Sequence, residues 1–259
     1  MTTSARDQRI AVVTGASSGI GEATARTLAA QGFHVIAVAR RADRLAALAD
    51  EIGGTAVVTD VTDPAAVAAL AQVCEQVCDS LSGSVNVLVN NAGGAKGLAS
   101  VEQADLEHWR WMWETNVLGT LHVTRALLPK LVASGDGLVV TVTSIAAFEI
   151  YDGGAGYTSA KHAQSALHRT LRGELLGKPV RLTEIAPGMV DTEFSLVRFD
   201  GDRERADAVY SGLTPLTAAD IAEVIGFVAS RPPHVDLDQI VIRPRDQASA
   251  TRANRREQD

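Results

Sequence analysis

Two kinds of apolar pattern alternate along the chain. Short runs rich in β-branched residues, bounded by glycine or polar residues, cover 10–14, 33–39, 55–59, 85–90, 138–143, 180–185 and 239–243, and each reads as a buried strand. Longer stretches with apolar residues three or four apart, the period of a helix burying one face, cover 22–30, 43–52, 64–80 and 156–176, with two more helices over 105–133. Regular alternation of strand and helix predicts a parallel sheet, joined by right-handed crossovers and covered by helices on both faces. The expected architecture is one α/β domain over 1–259, a doubly wound parallel sheet with a strand from each of the seven runs. Ligands of such sheets bind at the carboxyl ends of the strands, where the strand order reverses.

Two stretches break the rhythm. Residues 189–216 are long, charged and without a clean period, and a connection of that length is more often functional than idle. Residues 1–8 and about 248–259 are polar and are expected to be flexible.

Composition narrows the class. A chain of 259 residues suits one large α/β domain with a substantial core. A net charge of −7 argues against a nucleic-acid or anionic-membrane surface. No apolar run approaches the ~18 residues that would span a bilayer, and the polar start lacks the apolar segment of a signal peptide, so a cytoplasmic protein is expected. Cys74 and Cys78, one helical turn apart and without histidine partners, make a poor metal site and a poor disulfide. They are expected to pack, and no metal is expected.

The chemistry begins after the first strand. Gly15-Ala16-Ser17-Ser18-Gly19-Ile20-Gly21 leads straight into a helix. Glycines there permit a tight turn and close backbone approach, and the helix N-terminus offers unpaired N–H groups and a positive dipole end to a pyrophosphate. Gly15, Ser17, Ser18, Gly19 and Ile20 are the candidate contacts. Further on, Tyr157 and Lys161 stand four apart and share a helix face. An ammonium beside a phenol favours phenolate and draws its pKa toward working pH, as a general acid/base for an alcohol or carbonyl oxygen requires. Ser144, following a strand, is placed to bond the same oxygen. Alone, a Tyr-x-x-x-Lys pair is common on helix surfaces.

Taken in order, Thr14-Gly15-x-x-x-Gly19-x-Gly21, Asn90-Asn91-Ala92-Gly93, Asn116, Ser144, Tyr157-x-x-x-Lys161 and Pro187-Gly188 resemble the short-chain dehydrogenase/reductase family, over about residues 10–246. The resemblance implies a Rossmann-type oxidoreductase, usually a homotetramer or homodimer, with the tetramer favoured. It implies hydride transfer between nicotinamide and a small hydroxy or carbonyl compound. Tyr157 would move the proton, Lys161 would bond the nicotinamide ribose and Ser144 would hold the substrate oxygen. Asn116 either holds a water leading protons to the lysine or is a structural asparagine that kinks a helix. Asp60 resembles the aspartate that bonds the adenine amino group, with Val61 beside it. Asn91, Ala92 and Gly93 would lie along the adenosine ribose. Pro187 and Gly188 follow the sixth strand, and Val190 and Thr192 would bond the nicotinamide carboxamide.

Cofactor choice turns on the end of the second strand, where NAD enzymes carry an acid for the ribose 2′-OH. Here the position is Ala39, followed by Arg40 and Arg41. Guanidinium suits a phosphate, so the expected cofactor is NADP(H), with Arg40 the main 2′-phosphate contact and Arg41 a helper.

For substrate, residues 193–202, Pro232-Pro233-His234 and Ile242-Arg243-Pro244 are similar to the branch that oxidises 3-hydroxy acids such as serine or allo-threonine. A branch reducing a bicyclic β-lactam aldehyde shares Arg243-Pro244-x-Asp246-Gln247. Residues 148–152 depart from both, and Glu149 and Asp152 there would discourage an anion. Ser144, Tyr151, Tyr157 and Arg198 are the candidate substrate contacts. Arg198, among Phe194, Leu196 and Phe199, either meets a carboxylate inside a closing lid or is a surface or intersubunit arginine. Reduction of carrier-bound 3-oxoacyl groups or of a secondary-metabolite aldehyde is the alternative activity. A non-enzymatic NADP(H) sensor is a further class, whose mark would be loss of the tyrosine or lysine. Trp109, Trp111 and Trp113 cannot all enter one core face, so Trp111 or Trp113 is expected to face a partner subunit.

Overall fold

The structure, a computed structural model, describes residues 8–256, so the expectations for residues 1–7 and 257–259 lie outside it. Its strands are β1 (Gln8–Thr14), β2 (His34–Ala39), β3 (Thr55–Val58), β4 (Gly83–Asn90), β5 (Gly137–Val142), β6 (Val180–Pro187), the two-residue β7 (Val190–Asp191) and β8 (Leu216–Thr217), and β9 (Gln239–Ile242). Seven of them form one all-parallel sheet in the order β3-β2-β1-β4-β5-β6-β9. The helices are α1 (Gly19–Ala30), α2 (Ala42–Ile52), α3 (Pro64–Leu81), α4 (Leu106–Trp113), α5 (Gly119–Ala133), α6 (Ala155–Glu174), α7 (Phe194–Arg198), α8 (Arg203–Ala208) and α9 (Ala218–Ala229).

Alternate residues of the central strands enter opposite cores, which is why those runs are apolar throughout, whereas the edge strands β3 and β9 leave one face exposed. Ala11, Val13, Val35 and Ala37 pack with Leu28 of α1 and with Ile221, Ile225 and Val228 of α9. On the other face Ile10, Val12, Ile36 and Val38 pack with Val67 and Leu70 of α3 and Val123, Leu127 and Leu131 of α5. Cys74 belongs to this second core, and burial pushes its thiol up to about 12. Local signals set the helix ends: Asp63 accepts from the Ala65 amide ahead of Pro64, and Gly53 closes α2 in the left-handed region at φ 63°.

Four features depart from the pattern read in the sequence. Helix α9 was not anticipated, although Thr217 and Asp220 form a capping box at its start. Residues 114–118, between α4 and α5, are wound as a π-helical turn, wider than an α-helix. Segment 189–216 contains β7, α7 and α8 and is closed at its ends by the pairing of Val190 with Leu216. The tail is held down over 248–256 instead of trailing free. The Asn254 amide donates to Asp246 O at 2.8 Å, the Arg256 amide to Gly212 O at 2.8 Å, and Arg255 Nη2 to Val209 O at 3.0 Å. No helix among the described residues is long and apolar enough to cross a membrane.

Candidate functional site

Strand order reverses between β1 and β4, and the crevice at their carboxyl ends is the start of a cavity of about 810 Å³. Its floor is the turn between β1 and α1. Gly15 and Gly19 have φ of 67° and 55°, and a Cβ on Gly21 would lie 2.3 Å from Gly15 O, so a side chain there would collide with the turn itself. The first turn of α1 has no side-chain cap. Thr14 joins the two strand ends: its Oγ1 donates to Val89 O at 3.1 Å and accepts from the amides of Asn91 and Ala92, each at 3.0 Å.

The cavity is lined by every sequence-proposed cofactor and substrate residue: Gly15, Ser17, Ser18, Gly19, Ile20, Arg40, Arg41, Asp60, Val61, Asn91, Ala92, Gly93, Ser144, Tyr151, Tyr157, Lys161, Pro187, Gly188, Val190, Thr192 and Arg198. Asn116 lies behind the wall, fully buried in the π-helical turn. Its Nδ2 donates to Met112 O at 2.6 Å and Gly94 O at 2.9 Å, and its Oδ1 accepts from the Gly94 amide at 3.2 Å. A Cβ on Gly93 would stand 2.5 Å from that Oδ1, so the asparagine and the glycine loop are mutually fitted.

The two arginines after β2 divide their contacts. Arg40 is exposed, with Asp60 at 4.0 Å. Arg41 donates to Ser17 Oγ at 3.0 Å, Ser17 O at 3.2 Å, Ser18 Oγ at 2.6 Å and Glu193 Oε2 at 2.8 Å. Glu193 also accepts from Arg44 at 2.8 Å. This carboxylate was missed in the sequence, and it joins the glycine turn to the segment that carries Phe194 and Arg198.

Tyr157 and Lys161 lie on the buried face of α6. The lysine Nζ is 5.8 Å from the phenol ring centroid, and Phe194 meets that ring edge-on at 5.5 Å. Burial dominates both groups. It pushes the phenol well above its usual value, Tyr151 adds to the rise, and a hydrogen bond with Ser144 and the charge of Arg198 oppose it. It pulls the lysine down to about 7, against the raising effect of Glu184. Spacing alone implied a lowered tyrosine, and the enclosure of the pair reverses that sign. Ser144 Oγ also accepts from the Ala146 amide at 3.1 Å.

Around Arg198 the cavity is walled by Leu98, Trp111, Tyr151, Asp152, Phe194 and Phe199. Arg198 Nε donates to Gly97 O at 3.1 Å and its Nη2 to Tyr151 Oη at 3.0 Å, and its guanidinium stands 5.8 Å from the Tyr157 ring centroid. Glu149, expected from the sequence to discourage an anion, is paired with Arg243 Nη2 at 2.6 Å and accepts from the Ala250 amide. Gln247, part of the Arg243-Pro244-x-Asp246-Gln247 pattern, also lines the cavity, as do Ala250, Thr251 and Arg255 of the tail, which nothing in the sequence pattern marked. Gln247 Oε1 accepts from the Met189 amide at 2.9 Å, pinning the loop after β6. Trp109 and Trp111 are half-buried against Met112 and Tyr157, while Trp113 is 43% exposed.

Comparison with known proteins matches this arrangement. A family model described as short chain dehydrogenase matches residues 9–201. An uncharacterized oxidoreductase of Mycobacterium tuberculosis is 79% identical over 252 residues, 97% of each chain. Serine 3-dehydrogenase of Agrobacterium fabrum is 42% identical over 242 residues, 92% of this chain and 95% of the relative. Among solved structures, the closed form of a serine dehydrogenase complexed with NADP+ superposes with a TM-score of 0.86 at 36% identity, covering 96% of this chain and all of the other. With its parallel sheet, glycine turn and Ser144, Tyr157 and Lys161 around one cavity, the chain belongs to the short-chain dehydrogenase family of oxidoreductases.

Proposed function

We propose that the protein is an NADP(H)-dependent dehydrogenase/reductase of small hydroxy or carbonyl compounds carrying an anionic group, with 3-hydroxy acids as the substrate class. The observation that carries this reading is Arg198. Its guanidinium is held inside the cavity by a carbonyl and a phenol, neither of which neutralises it, beside the tyrosine that would handle the proton. A carboxylate there gains charge-assisted hydrogen bonds and places the neighbouring hydroxyl between Ser144 and Tyr157.

The residues fit a nicotinamide dinucleotide. The glycine cradle has no room for a Cβ, and the uncapped start of α1 suits a pyrophosphate. Arg40, the less committed of the two arginines, takes the 2′-phosphate, and Asp60 and Val61 flank the adenine. Val190 and Thr192 hold the carboxamide. Bound nicotinamide supplies the hydride donor or acceptor at C4. Ser144 Oγ holds the reacting oxygen, and Tyr157 Oη gives it a proton in reduction or takes one in oxidation. Lys161 bonds the nicotinamide ribose and offsets the charge that develops on the phenol. Asn116 acts from behind the wall, through its backbone.

The protein acts as a homo-oligomer, with a tetramer favoured. Supporting this are Leu106, Trp113, Leu118 and Leu121, exposed apolar residues along α4, the π-helical turn and the start of α5. Light scattering reporting a monomer would end that part of the reading.

Nicotinamide fluorescence should change on mixing with NADPH. Oxidation assays should then rank 3-hydroxy acids above neutral alcohols of the same skeleton. Equal use of NADH and NADPH would remove the cofactor reading, and indifference to the carboxylate would remove the substrate reading.

A further inference from the structure

Behind the cavity, a line of buried polar groups runs from Lys161 to the π-helical turn. Lys161 Nζ donates to Gln164 Oε1 at 2.8 Å and to Val142 O at 3.2 Å. Gln164 has no exposed surface, and its Nε2 donates to Thr120 Oγ1 at 2.8 Å. Thr120 Oγ1 in turn donates to Asn116 O at 2.8 Å. The direction of this line is forced. A carbonyl only accepts, so the single hydroxyl proton of Thr120 goes to Asn116 O. The hydroxyl must then accept from Gln164, which leaves the amide oxygen facing the lysine.

From this geometry we propose that Gln164 is a positioning residue for proton transfer, holding the Lys161 ammonium and tying it through Thr120 to the backbone of Asn116. The proposal rests on the reading of Tyr157 and Lys161 as the proton-transfer pair. It gives Lys161 a side-chain link to the backbone of Asn116. A carboxamide oxygen is a poor proton carrier, so the link holds charge and does not conduct protons.

A buried ammonium is stable only where acceptors surround it. With Gln164 removed, Val142 O would be the remaining protein acceptor of those two. The charged and titratable groups around Lys161 are Tyr157 on its own helix, Glu184 on β6 and, across the phenol ring, Arg198 and Tyr151. Glu184 is itself occupied, by Thr143 at 2.8 Å, Ser165 at 3.0 Å and Gln239 at 3.1 Å. Weaker retention of the ammonium lowers the Lys161 pKa further, so a smaller share of the pair stands as ammonium and phenolate at working pH.

The test compares Gln164→Leu, Thr120→Val and Thr120→Ser with the wild type. Two readouts are used: the pH profile of kcat for oxidation and direct NADPH binding by fluorescence. Gln164→Leu should move the acid limb of kcat downward by about one pH unit and lower the plateau above it about tenfold. Substrate KM and NADPH affinity should stay within about twofold. Thr120→Val should shift the same quantities less, and Thr120→Ser should restore the wild-type profile. Superimposable profiles, or a change confined to KM, would overturn the proposal. If Gln164→Leu does not fold, the Thr120 pair decides in the same way. Full activity of Tyr157→Phe would instead remove the parent reading, an outcome separate from the behaviour of Gln164.

Discussion

Replacing Arg198 by alanine tests how the cavity selects its substrate. The guanidinium is half-buried at the end of α7, with Nε on Gly97 O and Nη2 on Tyr151 Oη. The Gly97 amide returns a bond to Arg198 O at 2.9 Å, so the backbone clip survives the substitution and the loop stays in place. What is lost is the charge. A hydrogen bond to a charged group contributes about 1.5–3 kcal/mol. Because the side chain retains contact with solvent, the lower half of that range applies, which corresponds to a loss of roughly 10–40-fold in kcat/KM. The loss should appear in KM, since the carboxylate is bound equally in ground and transition states. Tyr151→Phe removes one partner of the guanidinium and should produce about a fivefold effect in the same direction. The assay is NADP reduction with a 3-hydroxy acid and with the neutral alcohol of the same skeleton. Equal losses on both substrates would refute the reasoning, as would a wild type that ignores hydroxy acids.

Arg40→Asp should weaken NADPH binding by at least about tenfold, through loss of a charge-assisted contact, and shift preference toward NADH; unchanged affinities for the two would assign the 2′-phosphate elsewhere. Glu193→Gln breaks the bridge between the glycine turn and segment 189–216. Hydrogen bonds from Arg41 and then Arg44 hold that carboxyl down at about 2, so the bridge persists through the physiological range. For a partly exposed pair the change is modest: NADPH release about fivefold faster at low salt, converging with wild type at high salt. Stopped-flow displacement showing identical rates at low salt would disprove the clasp. Finally, burial lowers the His168 pKa from 6.5 to about 4. A neutral histidine in the folded state and a protonated one in the unfolded state means stability that is whole above 6.5 and lost as pH falls toward 4. The slope is at most about 1.4 kcal/mol per pH unit. Denaturant melts of His168→Gln should show a flatter dependence across that window, and an unchanged slope would show that the histidine does not set it.

The sheet was legible because its central strands are buried on both faces, and a run such as Val87, Leu88 and Val89 admits few other readings. The glycine turn was legible because its residue types answer to sterics: a Cβ on Gly21 would strike Gly15 O, whatever surrounds the turn. Helix α9 escaped because its stretch is apolar on most sides and follows an irregular segment, leaving the capping box as its one sharp signal. Helices α7 and α8, of five and six residues, are too short to show a period. Within the site, residue identity was legible and direction was not. The asparagine at 116 could be named, but not that its side chain would turn to Gly94 and Met112 while its carbonyl met Thr120. Glu193, a partner of Arg41, and Thr120, a partner of Gln164, lie 152 and 44 residues away, and packing of distant elements decides them. The pKa of Tyr157 shows the same limit. Spacing places Lys161 one turn away, but only the enclosing walls show that desolvation outweighs that neighbour, and hence that the ammonium depends on acceptors such as Gln164.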